Sequence, residues 1–223
     1  MFLRKVLVVS IGAALFGGAI SVPQSLGAAT LVFTAIPDQD ESRLRTRFGA
    51  VAKYLSTKLG VDVNYIPVKS YAAAVTAFRN DQVQLAWFGG LSGVRARSLV
   101  KGSRALAQGT EDTTFVTYFI AHASTKLGEQ KSFPKAIAGK TFTFGSKGST
   151  SGRLMPEFHI RKFFGKAPNK VFGRVGFSGD HSRTIALVQS GAYEVGAVNF
   201  KGWENEMRAG KIDKSKIKII WRT

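Results

Sequence analysis

From residue 31 to the end of the chain, short apolar runs rich in β-branched and aromatic residues alternate with segments of helical periodicity. This alternation restricts the fold more than any other feature. Leu31–Ile36 reads as a buried strand. After the polar stretch Pro37–Glu41, Ser42 is placed to cap a helix. In that helix Leu44, Phe48, Val51, Ala52, Leu55 and Leu59 recur at helical spacing, and Gly60 provides the stop. Val61–Pro67 alternates as a second strand, Ser70 caps a helix over Tyr71–Arg79, and Val83–Phe88 is a third strand. Gly89-Gly90 turns into a helix over Ser92–Val100, and further strands are expected at Arg104–Gln108 and Phe115–His122.

The second half repeats the order. A short helix opened by Pro134 and closed by Gly139 precedes a strand at Lys140–Phe144 and a Gly/Ser-rich loop. A helix through Phe164, a strand at Val171–Phe177 and a helix over His181–Gln189 follow. A strand at Val195–Asn199, a helix near Trp203–Arg208 and a last strand at Ile217–Trp221 complete the chain. A parallel connection must be long enough to hold a helix, so this order implies an α/β protein whose mainly parallel sheets carry helices on both faces. Two such blocks give two lobes, residues 30–120 and residues 121–223.

Residues 1–29 have a different character. Arg4 and Lys5 precede the apolar stretch Val6–Ile20, and small residues follow, with Gly27 and Ala29 at the −3 and −1 positions of a cleavage after Ala29. This is the pattern of a secretory signal peptide. The competing reading, a membrane anchor, needs a run of about 20 apolar residues. Val6–Ile20 is shorter than that and interrupted by Gly17 and Gly18. The expected location is therefore the periplasm. The chain has no cysteine, which excludes disulfides, thiolate metal sites, a cysteine nucleophile and a lipidated cysteine at the cleavage point. Lys and Arg outnumber Asp and Glu by 32 to 14, a formal net charge of +18 that attracts anions of any size.

In open α/β sheets, ligands sit at the carboxyl ends of the strands. Gly148-Ser149-Thr150-Ser151-Gly152 lies at such a point, between a strand and a helix. The first N–H groups of a helix lack internal partners and its dipole favours an anion there, so three hydroxyls flanked by glycines form an anion cradle. The same residues also suit an ordinary capped helix start, and local sequence leaves both readings open. The segment is neither a nucleophile elbow, which would put Ser at position 150, nor a P-loop. His122, His159 and His181 have no zinc-type i, i+4 spacing. His159 belongs on a helix surface. His181 follows Gly179-Asp180 at another strand-to-helix junction, where it either donates to an anion or caps and packs. Tyr71 opens a helix after a strand, with a cleft and a core reading equally available.

The stretch AIPDQDESRLRTRFGAVAKYLSTKLGVDVNYIPVKSYAAAVTAFRNDQVQLAWFGG resembles the opening lobe of periplasmic binding proteins for phosphonate, phosphite and related oxyanions, including a branch described as selenate-binding. GKTFTFGSKGSTSGRLMP, VGFSGDHSRTIALVQSGAYEVGAVNFKGWE and KIKIIWRT continue the resemblance in order, over residues 30–223. It implies the two-lobed type II binding fold and capture of a small tetrahedral oxyanion for an ABC permease. It also implies no enzymatic activity, cofactor, metal or nucleic-acid partner, and a monomer. It carries the oxygen-binding role onto Ser149, Thr150, Ser151, His181 and Tyr71. Phe88 stands where the family commonly has tyrosine. Acidic residues that would hold an aminophosphonate's amine are not matched, since Asn199, Phe200 and Lys201 occupy the nearest region. Family members usually continue beyond the counterpart of Thr223 with a segment that returns to the first lobe, and this C-terminal return is expected to be missing. A sensory binding protein or a non-functional truncated homologue are the alternatives under the same fold.

Overall fold

The computed structural model describes residues 30–223, so the expected leader over residues 1–29 lies outside the described residues. The first sheet is formed by β1 (Leu31–Ala35), β2 (Val63–Tyr65) and β3 (Leu85–Trp87), in the order β2-β1-β3 with both pairings parallel. Helix α1 (Glu41–Leu59) buries Leu44, Phe48 and Ala52 against Phe33, Ala35 and Val63. Helices α2 (Tyr71–Arg79) and α3 (Gly90–Leu99) follow β2 and β3, and Tyr71 and Ala74 pack with Ile36 in a smaller cluster that Phe88 flanks. The cap of α1 is Asp40 rather than Ser42: its carboxylate accepts the Arg43 N–H, a stronger bond to an N-terminal amide than a neutral hydroxyl makes.

The second sheet contains β4 (Thr117–His122), β5 (Thr141–Phe144), β6 (Arg174–Phe177), β7 (Val195–Asn199) and β8 (Ile217–Arg222), ordered β6-β5-β7-β4-β8. β5 pairs with β6 and β7 in parallel, whereas β4 runs antiparallel to both β7 and β8. This sheet is therefore mixed. Its central strands are covered on both faces and read as nearly continuous apolar runs. On β4, Phe119 and Ala121 face a cluster with Phe142, Phe144 and Trp221, to which helix α4 (Met155–Phe164) adds Ile160. Tyr118 and Ile120 face the other side, with Ile185 and Val188 of α5 (His181–Gln189) and Trp203 of α6 (Phe200–Arg208). Phe119 is completely buried, so its replacement by Ala should cost about 3–5 kcal/mol.

Two expectations about the passage between lobes change. The expected strand at Arg104–Gln108 does not form: the segment is irregular, and its one large apolar residue, Leu106, is 71% exposed with no neighbouring strand to pair with. The division expected at residue 120 falls inside β4, all of which belongs to the second sheet. Among the described residues the chain crosses once, between α3 and β4, through mostly exposed residues that include a 3-10 turn at Thr110–Thr114.

Candidate ligand-binding cleft

The carboxyl ends of β1, β2, β3, β5, β6 and β7 all feed this region, and helices begin there because a capping side chain or glycine follows each strand. Ser70 caps α2 through the Ala73 N–H, Ser149 caps the turn Thr150–Leu154 through the Gly152 N–H, and Asp180 caps α5 through the Arg183 N–H. Thr150–Leu154 is a π-helical turn leading directly into α4. By position, the N–H groups of Thr150 and Ser151 have no intrahelical acceptor.

The two lobes meet at these helix starts. A Cβ at Gly148 would lie 3.1 Å from Tyr71 Cβ, so the missing side chain lets the hydroxyl loop approach α2. The Thr150 hydroxyl accepts the Leu91 N–H of α3 at 2.8 Å. The His181 N–H donates to the Asp38 carbonyl at 3.0 Å. On the rim, Arg43 of α1 donates to Glu206 of α6 at 2.8 Å, and the Ser182 hydroxyl donates to the same carboxylate oxygen at 2.7 Å.

Among the six residues expected to bind ligand, Ser149, Ser151, Tyr71 and His181 are buried, and Thr150 is partly so. The Tyr71 hydroxyl lies beside the Ser149 side chain of the second lobe. Burial and the nearby carboxylates of Asp38 and Asp180 raise its pKa well above the usual tyrosine value, opposed by the Ser149 hydroxyl beside it. His181 is 1% exposed, and desolvation lowers its pKa to about 4. Its Nδ1 accepts the Asn199 N–H at 3.3 Å, which assigns the proton of the neutral ring to Nε2. His181 is thus an uncharged donor at ordinary pH. The ring sits tightly, since a Cβ at Gly152 would approach its Cε1 to 3.0 Å.

Phe88 stands apart from the polar group. It packs edge-on to Phe78 at 5.7 Å and flanks the Ile36–Tyr71–Ala74 cluster. His159 is remote from the cleft and packs edge-on against Trp221 at 5.0 Å. Asp38 also lies at this seam, although in the sequence it reads only as part of a polar loop. Its position just past the carboxyl end of β1 was the available signal. Among the described residues, no group of three His, Asp or Glu side chains is arranged to hold a metal ion.

Two α/β lobes whose helix starts converge on a shared polar seam define a ligand-binding protein of the type II periplasmic class. Comparison with known proteins agrees. The sequence profile described as "ABC transporter, phosphonate, periplasmic substrate-binding protein" matches residues 33–223, and the chain belongs to this family. It is 40% identical over 225 residues to a protein of Prochlorococcus marinus described as "Probable ABC transporter phosphite binding protein PhnD1", covering all of this chain and 75% of that one. The solved structure of PhnD1 in complex with methylphosphonate superimposes with a TM-score of 0.82 at 42% identity, covering 87% of this chain and 72% of the other. A binding protein component of an ABC phosphonate transporter from Pseudomonas aeruginosa has the same fold, with a TM-score of 0.72 at 22% identity over 87% of this chain and 65% of that one.

Proposed function

We propose that this chain is the solute-binding component of an ABC importer and captures a small tetrahedral oxyanion of the phosphite or alkylphosphonate class between its lobes. The observation that carries the reading is the meeting of uncharged donors from both lobes on one seam: the Ser149–Ser151 turn, neutral His181 and Tyr71. Ser149, Thr150 and Ser151, with their first-turn N–H groups, cradle the oxygens. His181 donates from the same lobe through Nε2 and Tyr71 from the opposite lobe, while Phe88 supports the apolar wall behind Tyr71. Oriented amides and hydroxyls can neutralise an oxyanion without a formal cation. Only the closed arrangement offers every donor at once, so ligand favours closure.

Residues 1–29 are read as a leader removed on export, giving a monomeric periplasmic protein that delivers its ligand to a membrane permease and carries out no chemistry on it. Intact-mass measurement on a periplasmic extract tests the export step. Retention of Met1 in the cytosolic fraction would exclude it.

A thermal-shift screen of the processed chain against phosphite, methylphosphonate, phosphate, sulfate and selenate tests the binding step. Ligand that binds only the folded state raises its stability by mass action. The phosphorus oxyanions should raise the melting temperature at low concentration, and the shift should persist in added sodium chloride, because buried hydrogen bonds are screened little. Absence of any shift, or a shift lost with salt, would reject an enclosed oxyanion site.

A further inference from the structure

We propose that Asp38 makes the cleft select its oxyanion by protonation, so that ligand and Asp38 together hold one proton in the bound state. This inference rests on the oxyanion reading above and names the form of ligand that the same site takes.

The geometry at the seam carries it. Asp38 lies just beyond the carboxyl end of β1, and its carbonyl is tied at 3.0 Å to the N–H of His181 on the facing lobe. The charged and titratable groups around it come from every element that meets there. They are Tyr65 from β2, Arg47 from α1, Tyr71 from α2, and Asp180 with His181 at the start of α5. The two carboxylates differ in their occupations. Asp180 accepts the Arg183 N–H at 2.7 Å as the cap of α5. The Asp38 carboxylate makes no hydrogen bond to another residue's side chain or backbone among the described residues. Of these two carboxylates, Asp38 is the one without a protein partner.

A bare dianion in this cleft would face a second negative charge at Asp38, in surroundings that screen poorly. A proton between them turns that repulsion into a short charge-assisted O–H···O bond. A monoprotonated phosphonate or phosphite brings its own proton. Sulfate is fully ionised and must recruit one onto Asp38. The environment makes that possible, since burial, opposed by Arg47, raises the Asp38 pKa to about 6. His181 stays neutral across the same range and does not supply the proton.

Calorimetric titration of the full chain with methylphosphonate and with sulfate, at acidic, neutral and alkaline pH, tests the proposal. Wild type should bind methylphosphonate at least about tenfold tighter than sulfate at neutral pH, a difference of about 1.4 kcal/mol. Its sulfate affinity should rise as the solution is acidified. Asp38→Asn offers a permanent amide donor, so it should narrow the preference to within about threefold and bind sulfate independently of pH. The wild-type comparison stands without the variant should Asp38→Asn fold poorly. Equal wild-type affinities, or a preference unchanged in a folded Asp38→Asn protein, would overturn the role of Asp38 while leaving the oxyanion site standing. Binding of neither anion at any pH would overturn the oxyanion reading itself, and this inference with it.

Discussion

The Thr150 hydroxyl of the second lobe accepts the Leu91 N–H at the first turn of a first-lobe helix, at 2.8 Å. Gly89, the residue that precedes this helix, has no side chain to satisfy that amide. One lobe thus caps a helix of the other. The same hydroxyl sits on the turn proposed to hold the ligand, so under that reading closure and binding share a single side chain.

Replacing Thr150 by Ala should therefore affect binding more than folding. Loss of a helix cap costs about 1 kcal/mol. Loss of a hydrogen bond to a charged ligand costs about 1.5–3 kcal/mol, or roughly ten- to a hundredfold in affinity. Thr150→Ser keeps the hydroxyl and should stay close to wild type. Calorimetric dissociation constants for methylphosphonate would check both variants, and an unchanged Thr150→Ala affinity would remove Thr150 from the site.

The two glycines of the hydroxyl loop give separable outcomes. Gly152→Ala would push its Cβ to 3.0 Å from His181 Cε1 and 3.1 Å from the Ser149 hydroxyl, inside one lobe. Overpacking of this kind costs about 1–3 kcal/mol, so both stability and affinity should fall. Gly148→Ala meets Tyr71 across the seam instead, at 3.1 Å from its Cβ. Its unfolding midpoint should stay near wild type while affinity drops, because only closure is obstructed. Denaturant unfolding paired with calorimetry separates the two. A large loss of stability in Gly148→Ala would contradict the assignment.

Much of this architecture is legible before any coordinates. The helix over His181–Gln189 is expected from the strand-to-helix junction at Gly179-Asp180, and the Gly148–Gly152 segment stands out by composition, although composition leaves its role open. Local patterns carry that information. What they omit is the contact between lobes. Arg43 and Glu206 are 163 residues apart, and nothing near either residue names the other. Asp38 resembles any loop aspartate until α5 is brought against it. The antiparallel course of β4 was hidden for a related reason. Burial on both faces removes the alternation that would mark a strand's partners, and register is written in hydrogen bonds that a single strand does not display.

Arg43 and Glu206 lend themselves to an asymmetric test. The Glu206 side chain is 4% exposed, whereas that of Arg43 is 28% exposed. Arg43→Ala would leave a buried carboxylate held only by the Ser182 hydroxyl, and because Arg43 is partly exposed the cost should fall below the about 3–5 kcal/mol of a fully buried pair. Arg43→Ala paired with Glu206→Gln should recover much of that loss, since the amide needs no counter-charge. Thermal melts of the single and double variants measure the recovery. A double variant no more stable than Arg43→Ala would show that desolvation of Glu206 is not the origin of the cost.

The dependence of stability on pH follows from two groups shifted in opposite senses. Folded His181 titrates near 4, against about 6.5 in an unfolded chain. Between these values the unfolded chain holds a proton that the folded chain excludes. The His181 contribution is complete above the unfolded value and is lost as pH falls toward 4. Folded Asp38 titrates near 6, above its ordinary 3.8. Here the folded chain holds the extra proton, so the contribution is complete at low pH and is lost as pH rises toward 6. Over the shared window the slopes oppose, each bounded by about 1.4 kcal/mol per pH unit. These two groups should leave wild-type stability only weakly dependent on pH in that window. Asp38→Asn removes one slope, so its stability should fall faster than wild type on acidification. His181→Asn removes the other, and its stability should fall more slowly than wild type or rise. Asp180, also shifted upward by burial, contributes a slope of the same sign as Asp38 in all three proteins. Urea unfolding midpoints across this range supply the measurement, and variants whose profiles parallel wild type would show that neither group is linked to folding in this way.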